Sequence, residues 1–450
     1  MPTDADRSGA VPFDAGLLSP VTAGHEAAVS DAAVLSALVA AERALIAAYA
    51  AVGAVPDDIR AEADALAATD VRALALAGVA GGNPVIPLAK ELRRTAGERV
   101  RPWVHRGATS QDILDTALMT VAKGAAGHVV AALDAVAGSL EAFARTHRDL
   151  PAAARTLTQH AVPTTVGLRA STWLRAVRRA RARLAAAEFP AQLGGAGGTL
   201  ASFVEIVGAE RAARLPAAFA AALGLDAPDG VWHVTRWPVT ELADALVQAV
   251  DALGLIAADV ATLSRTEIGE LAEGTGGGSS AMPQKQNPAR SVLIRSAAIR
   301  APHLAATLHA AAALAVDERP DGAWHAEWPA LRELLRTALG ASAHAAVLAA
   351  GLRVDADAVA RNLAATHGLI VAERLSVVLG PLIGAGGVAD VVARAGAGGD
   401  LAALVHAAIA EAGASGVDVD ALLEPASYTG LAGRLVDEVT ADHPPLEEDR

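Results

Sequence analysis

At 450 residues the chain is long enough for two or three domains, and its formal charge of −13 argues against nucleic acid or an anionic membrane as a partner. The sequence contains no cysteine, which excludes disulfides and thiolate metal sites. Hydrophobic residues make up 53% of the chain and aromatic residues only 3%, with alanine dominating, and this composition favours a mostly helical protein.

The ends of the chain and its apolar runs bear on localisation. The first seven residues carry two acids and lack the apolar core of a signal peptide. No long uncharged run is rich in Leu or Ile, so no membrane span is predicted. We therefore expect a cytoplasmic protein.

The predicted elements are helices throughout. The first follows Ser30, a capping residue, and ends before Gly53 and Pro56. Further helical patterns cover residues 110–149, 164–188, 238–273, 289–316 and 324–352. The fourth of these six helices would be about 54 Å long at about 1.5 Å per residue, which suggests an elongated bundle. No segment shows sustained alternation of apolar and polar residues, so strands are expected only as short hairpins. Beyond residue 353 the helices shorten, which predicts a small C-terminal helical domain.

Residues 277–288 read GGSSAMPQKQNP and combine a glycine run, two hydroxyls, a lysine and an asparagine. Such a loop can carry the Ser279 hydroxyl to an acidic C–H beside a carboxylate, while Lys285 and Asn287 hold the negative charge. The alternative is a flexible, solvated loop, which the two flanking prolines disfavour. The segment resembles the G-S-S-x-M-P-x-K-x-N-P signature of the fumarase/aspartase superfamily and meets every fixed position. The resemblance implies that Ser279 and Lys285 are catalytic and that Ser280, Met282 and Asn287 bind substrate.

Residues 105–116 read HRGATSQDILDT, and Thr109 and Ser110 lie where a loop enters a helix. Their hydroxyls and the free N–H groups of the helix can bind a carboxylate, although an ordinary helix cap would have the same residues. The stretch resembles the H-x-G-x-T-S-x-D-x-x-D-T motif of the adenylosuccinate lyase and carboxymuconate cycloisomerase branches. That resemblance implies a general-acid role for His105.

Residues 155–163 read RTLTQHAVP and resemble the superfamily's T-H-x-Q-x-A-x-P segment, in which the histidine is catalytic. Leu157 occupies the histidine position, so that role does not transfer. His160 lies three residues on and is a second candidate for it, or else a histidine that only forms hydrogen bonds between helices. Thr156 and Gln159 are predicted to bind substrate.

Residues 317–331 read DERPDGAWHAEWPAL and resemble the E-R-x-x-G-A-W-x-A-E-W segment typical of bacterial 3-carboxy-cis,cis-muconate cycloisomerases. Arg319 can form a bidentate pair with a substrate carboxylate. Motifs for nucleotides are absent from the sequence, and its histidines and carboxylates form no cluster with metal-ligand spacing. No metal or organic cofactor is expected.

The resemblance covers nearly the whole chain. It implies an all-α fold of three helical domains, with a central long five-helix bundle, over residues 1–108, 109–352 and 353–450. It also implies a homotetramer in which three subunits share each active site, acting on a small polycarboxylate. The leading function is lactonisation of 3-carboxy-cis,cis-muconate to 4-carboxymuconolactone through an enediolate. The alternatives are a fumarate-releasing lyase, adenylosuccinate-like or acting on another substituted succinate, and an inactive structural homologue.

Overall fold

The computed structural model describes residues 16–274, 277–278, 282 and 285–441. Helices dominate these residues, and the strands among them form short antiparallel pairs, which confirms the predicted all-α class. The chain divides into two compact units. Unit 1 comprises Met1–Ala132, Ala180–Leu253 and Leu293–His344, and unit 2 comprises Leu133–Arg179, Gly254–Val292 and Ala345–Arg450. The division into three domains stays a prediction.

The N-terminal helices belong to unit 1. They are α1 (Asp31–Ala51), α2 (Asp57–Ala63), α3 (Val71–Gly78) and α4 (Val85–Thr95). Ser30 begins α1 as predicted, because its side chain accepts a hydrogen bond from the backbone N–H of Ala33 at 3.2 Å. The buried face of α1 contains Leu38 and Leu45, and it also carries the charged side chain of Glu42.

The middle of the chain forms the longest helices. It contains α5 (Ser110–Thr146), a hairpin of β1 (Pro151–Thr156) and β2 (Gln159–Thr165), α6 (Val166–Ala185), α7 (Ala201–Val207), α8 (Ala209–Ala212), α9 (Leu215–Leu223), α10 (Trp237–Leu263), α11 (Ala289–Ala313) and α12 (Gly322–Gly351). Helices α5, α6, α11 and α12 begin and end within three residues of their predicted positions. The hairpin agrees with the expectation that strands would occur only in this form.

Helix α10 is shorter than predicted, because the pattern over residues 238–273 continues beyond its end at Leu263. Gly269 has a φ of +66°, which a right-handed helix cannot contain. The chain then forms β3 (Leu271–Ala272), which pairs antiparallel with β4 (Arg353–Val354). The 27 residues of α10 give a length of about 40 Å rather than about 54 Å.

The C-terminal helices belong to unit 2. They are α13 (Ala356–Ala364), α14 (Ala372–Gly396), α15 (Leu401–Glu411), α16 (Val419–Leu423) and α17 (Ala432–Thr440). Leu375, Leu379, Val391 and Val405 lie in the core that α14, α15 and α16 share. Gly384 has a φ of +75° and kinks α14, so this long segment packs as two shorter helices.

In the described part of the chain, five helical segments are long and apolar enough to cross a membrane, judged by length and composition alone. They are Asp31–Ala51, Ser110–Thr146, Trp237–Leu263, Gly322–Gly351 and Leu369–Gly396. More than half of the most apolar window is buried within the protein in the first four, but only 22% in the last. The absence of a membrane partner stays a prediction.

Candidate active site

The His105 loop connects α4 with α5 and is held by two residues of α1, Glu42 and Tyr49. Glu42, fully buried, lies with Oε1 2.7 Å from Nδ1 of His105, and its Oε2 accepts the His105 backbone N–H at 2.9 Å. Tyr49, on the same helix, donates its hydroxyl to the carbonyl of Arg106 at 2.9 Å. His105 has a φ of +53°, an uncommon conformation for a residue with a Cβ, and the bond from its N–H to Glu42 stabilises it.

Asp112, in the first turn of α5, organises the backbone around Thr109. Its Oδ2 accepts from the N–H groups of Thr109 at 2.9 Å and Gly195 at 3.0 Å. Its Oδ1 accepts from Gly194 N–H at 2.8 Å and lies 2.9 Å from Nε2 of His233. The bond to Thr109 is half of a capping box, so these residues do form a helix cap, as the alternative interpretation predicted. The same carboxylate also fixes the turn at residues 194–195 beside the loop.

Arg319 and Thr109, both predicted from sequence to bind substrate, are in direct contact. Nη2 of Arg319 donates to Oγ1 of Thr109 at 2.6 Å and to the carbonyl of Ala196 at 3.1 Å. The Nε atom of Arg319 is buried and makes no hydrogen bond within the described residues. A guanidinium with an unused donor next to a hydroxyl and the start of a helix, where Ser110 is the first residue of α5, is suited to binding a carboxylate.

Other residues of the motifs at residues 105–116 and 317–331 belong to a buried ion cluster in unit 1. Arg236, fully buried, donates to Asp115 Oδ2 and to Glu327 Oε2, both at 2.7 Å. Asp115 also accepts from the indole N–H of Trp324 at 2.9 Å and from Nε2 of Gln111 at 3.2 Å. These residues join the segment after His105 to the segment after Arg319, so their role is structural support rather than contact with substrate.

The hairpin in unit 2 carries the third predicted constellation. Leu157 and Thr158 form its two-residue turn with φ values of +48° and +72°, and Leu157 is 95% exposed. Thr156 and Gln159 flank the turn as a register pair and are exposed. His160 pairs with Arg155, and its pKa is held below the usual range by burial first and by the Arg155 guanidinium second, against an opposing effect of Glu270. The imidazole is therefore neutral near pH 7.

The loop that carries the superfamily signature is described only in part. Ser279 and Ser280 lie outside the described residues. Gly277 and Asn287 exchange two backbone hydrogen bonds, at 2.8 and 2.9 Å, and so close the loop at its base. Within the loop, the N–H of Lys285 donates to the carbonyl of Met282 at 3.0 Å, and both side chains are exposed.

Glu273 fixes the start of α11 beyond that loop. Its carboxylate accepts from the N–H groups of Arg290 at 3.1 Å and Ser291 at 2.8 Å, and from the Ser291 hydroxyl at 2.8 Å. A carboxylate at a helix N-terminus satisfies amides that have no partner within the helix. The described residues on both sides of this loop are therefore held by hydrogen bonds within unit 2.

The predicted residues fall into both compact units. His105, Thr109, Ser110 and Arg319 belong to unit 1, whereas Thr156, Gln159, His160, Met282, Lys285 and Asn287 belong to unit 2. Among the described side chains, no group of three or more His, Asp or Glu residues could hold a metal ion.

Comparison with known proteins places the chain in a family. A family model described as a lyase matches residues 26–302. The chain belongs to this lyase family, within the fumarase/aspartase superfamily. A nitrosuccinate lyase of Streptomyces davaonensis is 46% identical over 446 residues, which cover 94% of each protein. A 3-carboxy-cis,cis-muconate cycloisomerase of Pseudomonas aeruginosa is 38% identical over 449 residues and 96% of each.

Solved structures of the lyase family agree in fold. The crystal structure of the 3-carboxy-cis,cis-muconate lactonizing enzyme from Pseudomonas putida matches with a TM-score of 0.86 and 34% identity, covering 94% of this chain and 98% of that one. The protein is therefore an enzyme of the superfamily, as predicted.

Sequence reasoning did not assign roles to Glu42, Asp112 or Glu273. For Glu42 a signal exists, because it lies four residues after Leu38 and three before Leu45, in the middle of an apolar helix face. Asp112 lies inside the motif at residues 105–116, at the third position after Thr109, where a capping box predicts an acid. Glu273 precedes the loop without a comparable pattern.

Proposed function

We propose that the protein catalyses β-elimination from a succinate whose substituent departs as a stable anion, with nitrosuccinate as the candidate substrate. The observation that carries this proposal is Leu157, which stands at the position of the superfamily's catalytic histidine. An amine or alkoxide leaving group needs a proton from the enzyme, whereas nitrite leaves as the anion of a strong enough acid to need none. The 46% identity to a nitrosuccinate lyase supports the same substrate.

In the proposed reaction, Ser279 removes a proton from the carbon that does not carry the nitro group. The electron pair of that C–H bond forms the carbon–carbon double bond, and the C–N bond breaks with its pair going to nitrite. Negative charge passes through the adjacent carboxylate as an enediolate, which Lys285 and Asn287 would stabilise. The products are fumarate and nitrite.

The second carboxylate of the substrate would bind at Arg319 and Thr109. Arg319 has an Nε donor without a partner among the described residues, and Thr109 has a hydroxyl, and both groups can donate hydrogen bonds to a carboxylate. On binding, the guanidinium would exchange its present bonds to Thr109 Oγ1 and Ala196 O for the substrate oxygens. Ser110 would add the hydroxyl and N–H of the first residue of α5.

Lactonisation of 3-carboxy-cis,cis-muconate is the second candidate, and the segment around Trp324 and Trp328 favours it. Its attacking group is an ionised carboxylate, which needs no base, so Leu157 is compatible with this reaction too. General-acid transfer to carbon would then be the task of Ser279, with His105 or His160 on the oxygen side. Elimination is favoured because the chain is more similar to the nitrosuccinate lyase than to the cycloisomerase over nearly the same number of residues.

The experiment is a comparison of three substrates with one purified protein. Nitrosuccinate should give nitrite and fumarate in equal amounts, measured by diazo coupling and by absorbance at 240 nm. 3-Carboxymuconate is followed through loss of its diene absorbance, and an amine-substituted succinate such as aspartate is the control for a leaving group that needs a proton. Lactonisation without nitrite release would replace the first candidate by the second. Comparable turnover of the amine would refute the reasoning from Leu157.

We also propose a cytoplasmic homotetramer in which three subunits contribute to each active site. Exposed apolar side chains on the long helices support assembly, since Leu255, Val292, Ile299 and Val347 are each 45% exposed or more in the single chain. Lys285→Ala and Thr109→Ala, each inactive alone, should regain activity when unfolded and reassembled together. A monomer in light scattering, or no recovery after mixing is verified, would contradict shared sites.

A further inference from the structure

The pair formed by Glu42 and His105 contains a carboxylate that the proposed reaction does not use. Glu42 is fully buried, and the His105 side chain is only 15% exposed. Both oxygens of Glu42 engage the same residue, one at the ring and one at the backbone N–H. A buried carboxylate needs partners, and here the partners are supplied by a residue of the candidate site.

The geometry determines which ring nitrogen faces the carboxylate. Nδ1 of His105 lies 2.7 Å from Oε1 of Glu42, a distance typical of a charge-assisted hydrogen bond. When the Glu42 carboxylate is ionised its oxygens can only accept, and the ring then carries its proton at Nδ1. In the neutral ring the proton at Nδ1 leaves Nε2 as a lone pair, and in the charged ring Nε2 is a donor.

We propose that Glu42 is a positioning residue that fixes the ring orientation and tautomer of His105, so that Nε2 is the nitrogen available to substrate. This inference rests on the proposed function, in whose second candidate reaction, lactonisation, His105 is one of the two candidates for the oxygen side. A histidine held in this way can accept or donate a proton at one defined atom, as the partner carboxylate achieves in other histidine sites. The left-handed backbone at His105 directs the ring toward α1, and the second Glu42 oxygen stabilises that backbone.

Tyr49 provides a matched control on the same helix. Its hydroxyl also supports the loop, by donating to the Arg106 carbonyl at 2.9 Å, whereas the His105 ring nitrogen faces Glu42. A purely structural role for Glu42 would make Glu42→Gln and Tyr49→Phe similar in their effects. A role in setting the tautomer would separate them.

The test measures the ring nitrogens of His105 by ¹⁵N NMR in protein labelled at histidine, without substrate. His105→Asn assigns the signals, and ¹⁵N shifts distinguish a protonated from an unprotonated nitrogen. In the wild type and in Tyr49→Phe, the neutral ring should carry its proton at Nδ1. In Glu42→Gln the Nδ1 tautomer should lose its dominance, because a neutral amide can donate as well as accept.

Kinetics supply the second measurement. Glu42→Gln should lower kcat by at least about tenfold, the lower end of the effect of removing the carboxylate partner of a metal-ligating histidine, with KM within about twofold. Glu42→Asp, which keeps the charge, should recover part of that loss. If Glu42→Gln does not fold, the wild-type spectrum still decides, since a neutral ring protonated at Nε2 would overturn the proposal. Because the NMR result needs no substrate, it is independent of the reaction that the protein catalyses.

Discussion

Asp112→Asn should destabilise unit 1 and weaken substrate binding. The carboxylate accepts two hydrogen bonds at each oxygen, from Gly194 N–H and His233 at Oδ1 and from the N–H groups of Thr109 and Gly195 at Oδ2. Asparagine keeps one acceptor oxygen and places a donor NH₂ group against the other two donors. The substitution is therefore close in size to aspartate but wrong in hydrogen-bonding pattern.

The less costly orientation of the asparagine amide puts its NH₂ group at the Oδ1 position, because the His233 ring has a tautomer in which Nε2 accepts. The Gly194 N–H then loses its acceptor, and a hydrogen bond to a charged group contributes about 1.5–3 kcal/mol. The three remaining bonds change from charge-assisted to neutral, at about 1 kcal/mol each. The total loss is about 5 kcal/mol, which corresponds to about 10 °C in Tm at about 2 °C per kcal/mol for a large unit.

Thermal unfolding and steady-state kinetics test this prediction together. KM for a dicarboxylate should rise at least about tenfold, because Asp112 positions both Thr109 and the turn before Ala196 that Arg319 contacts. Asp58→Asn is the control, since it makes the same chemical change at an exposed ion pair and should leave Tm and KM unchanged. A Tm for Asp112→Asn within about 2 °C of the wild type, with unchanged KM, would refute the reasoning.

Three further substitutions test other parts of the site. Ser279→Ala should lower turnover by at least about 10²-fold with KM and Tm unchanged, and retention of more than about a tenth would remove Ser279 from proton transfer. His160→Asn should lose clearly less turnover. Because burial holds the pKa of His160 below its ordinary value, the unfolded chain binds more protons there, so the wild type should lose stability as pH falls below about 6.5 and His160→Asn should lose less. Gly274→Ala should destabilise by about 1–3 kcal/mol, because a Cβ there would lie 2.6 Å from the carbonyl oxygen of Gly351, whereas Gly278→Ala, in open space, should leave Tm unchanged.

The helices could be predicted because their signals are local. Ser30 caps α1 through its own side chain, and the apolar spacing of α5 continues from Ser110 almost to the predicted end. Local signals also explain the error in α10. Ile268 and Leu271 continue the helical spacing, but Gly269 takes a left-handed conformation, and β3 needs its partner β4 about 80 residues later in the chain.

The sequence motifs name candidate site residues, whose roles stay predictions, but they do not predict the contacts between those residues. The motifs name Thr109 and Arg319 separately, and their hydrogen bond joins positions 210 residues apart. Glu42 is 63 residues from His105, and its place on an apolar helix face marks it as unusual without naming its partner. Such pairings depend on tertiary packing, which hydrophobic periodicity does not predict.

The hairpin tip connects the structure with the choice of reaction. A two-residue turn with positive φ at both positions favours glycine or asparagine, yet here it is formed by Leu157 and Thr158. A leucine side chain at this point is therefore not explained by the turn, and its 95% exposure shows that the core of its own chain does not need it either. Leucine has no proton that it can transfer. The two proposed reactions, nitrite release and lactonisation, are compatible with such a residue because their leaving or attacking group is an anion, whereas amine elimination needs a proton from the enzyme.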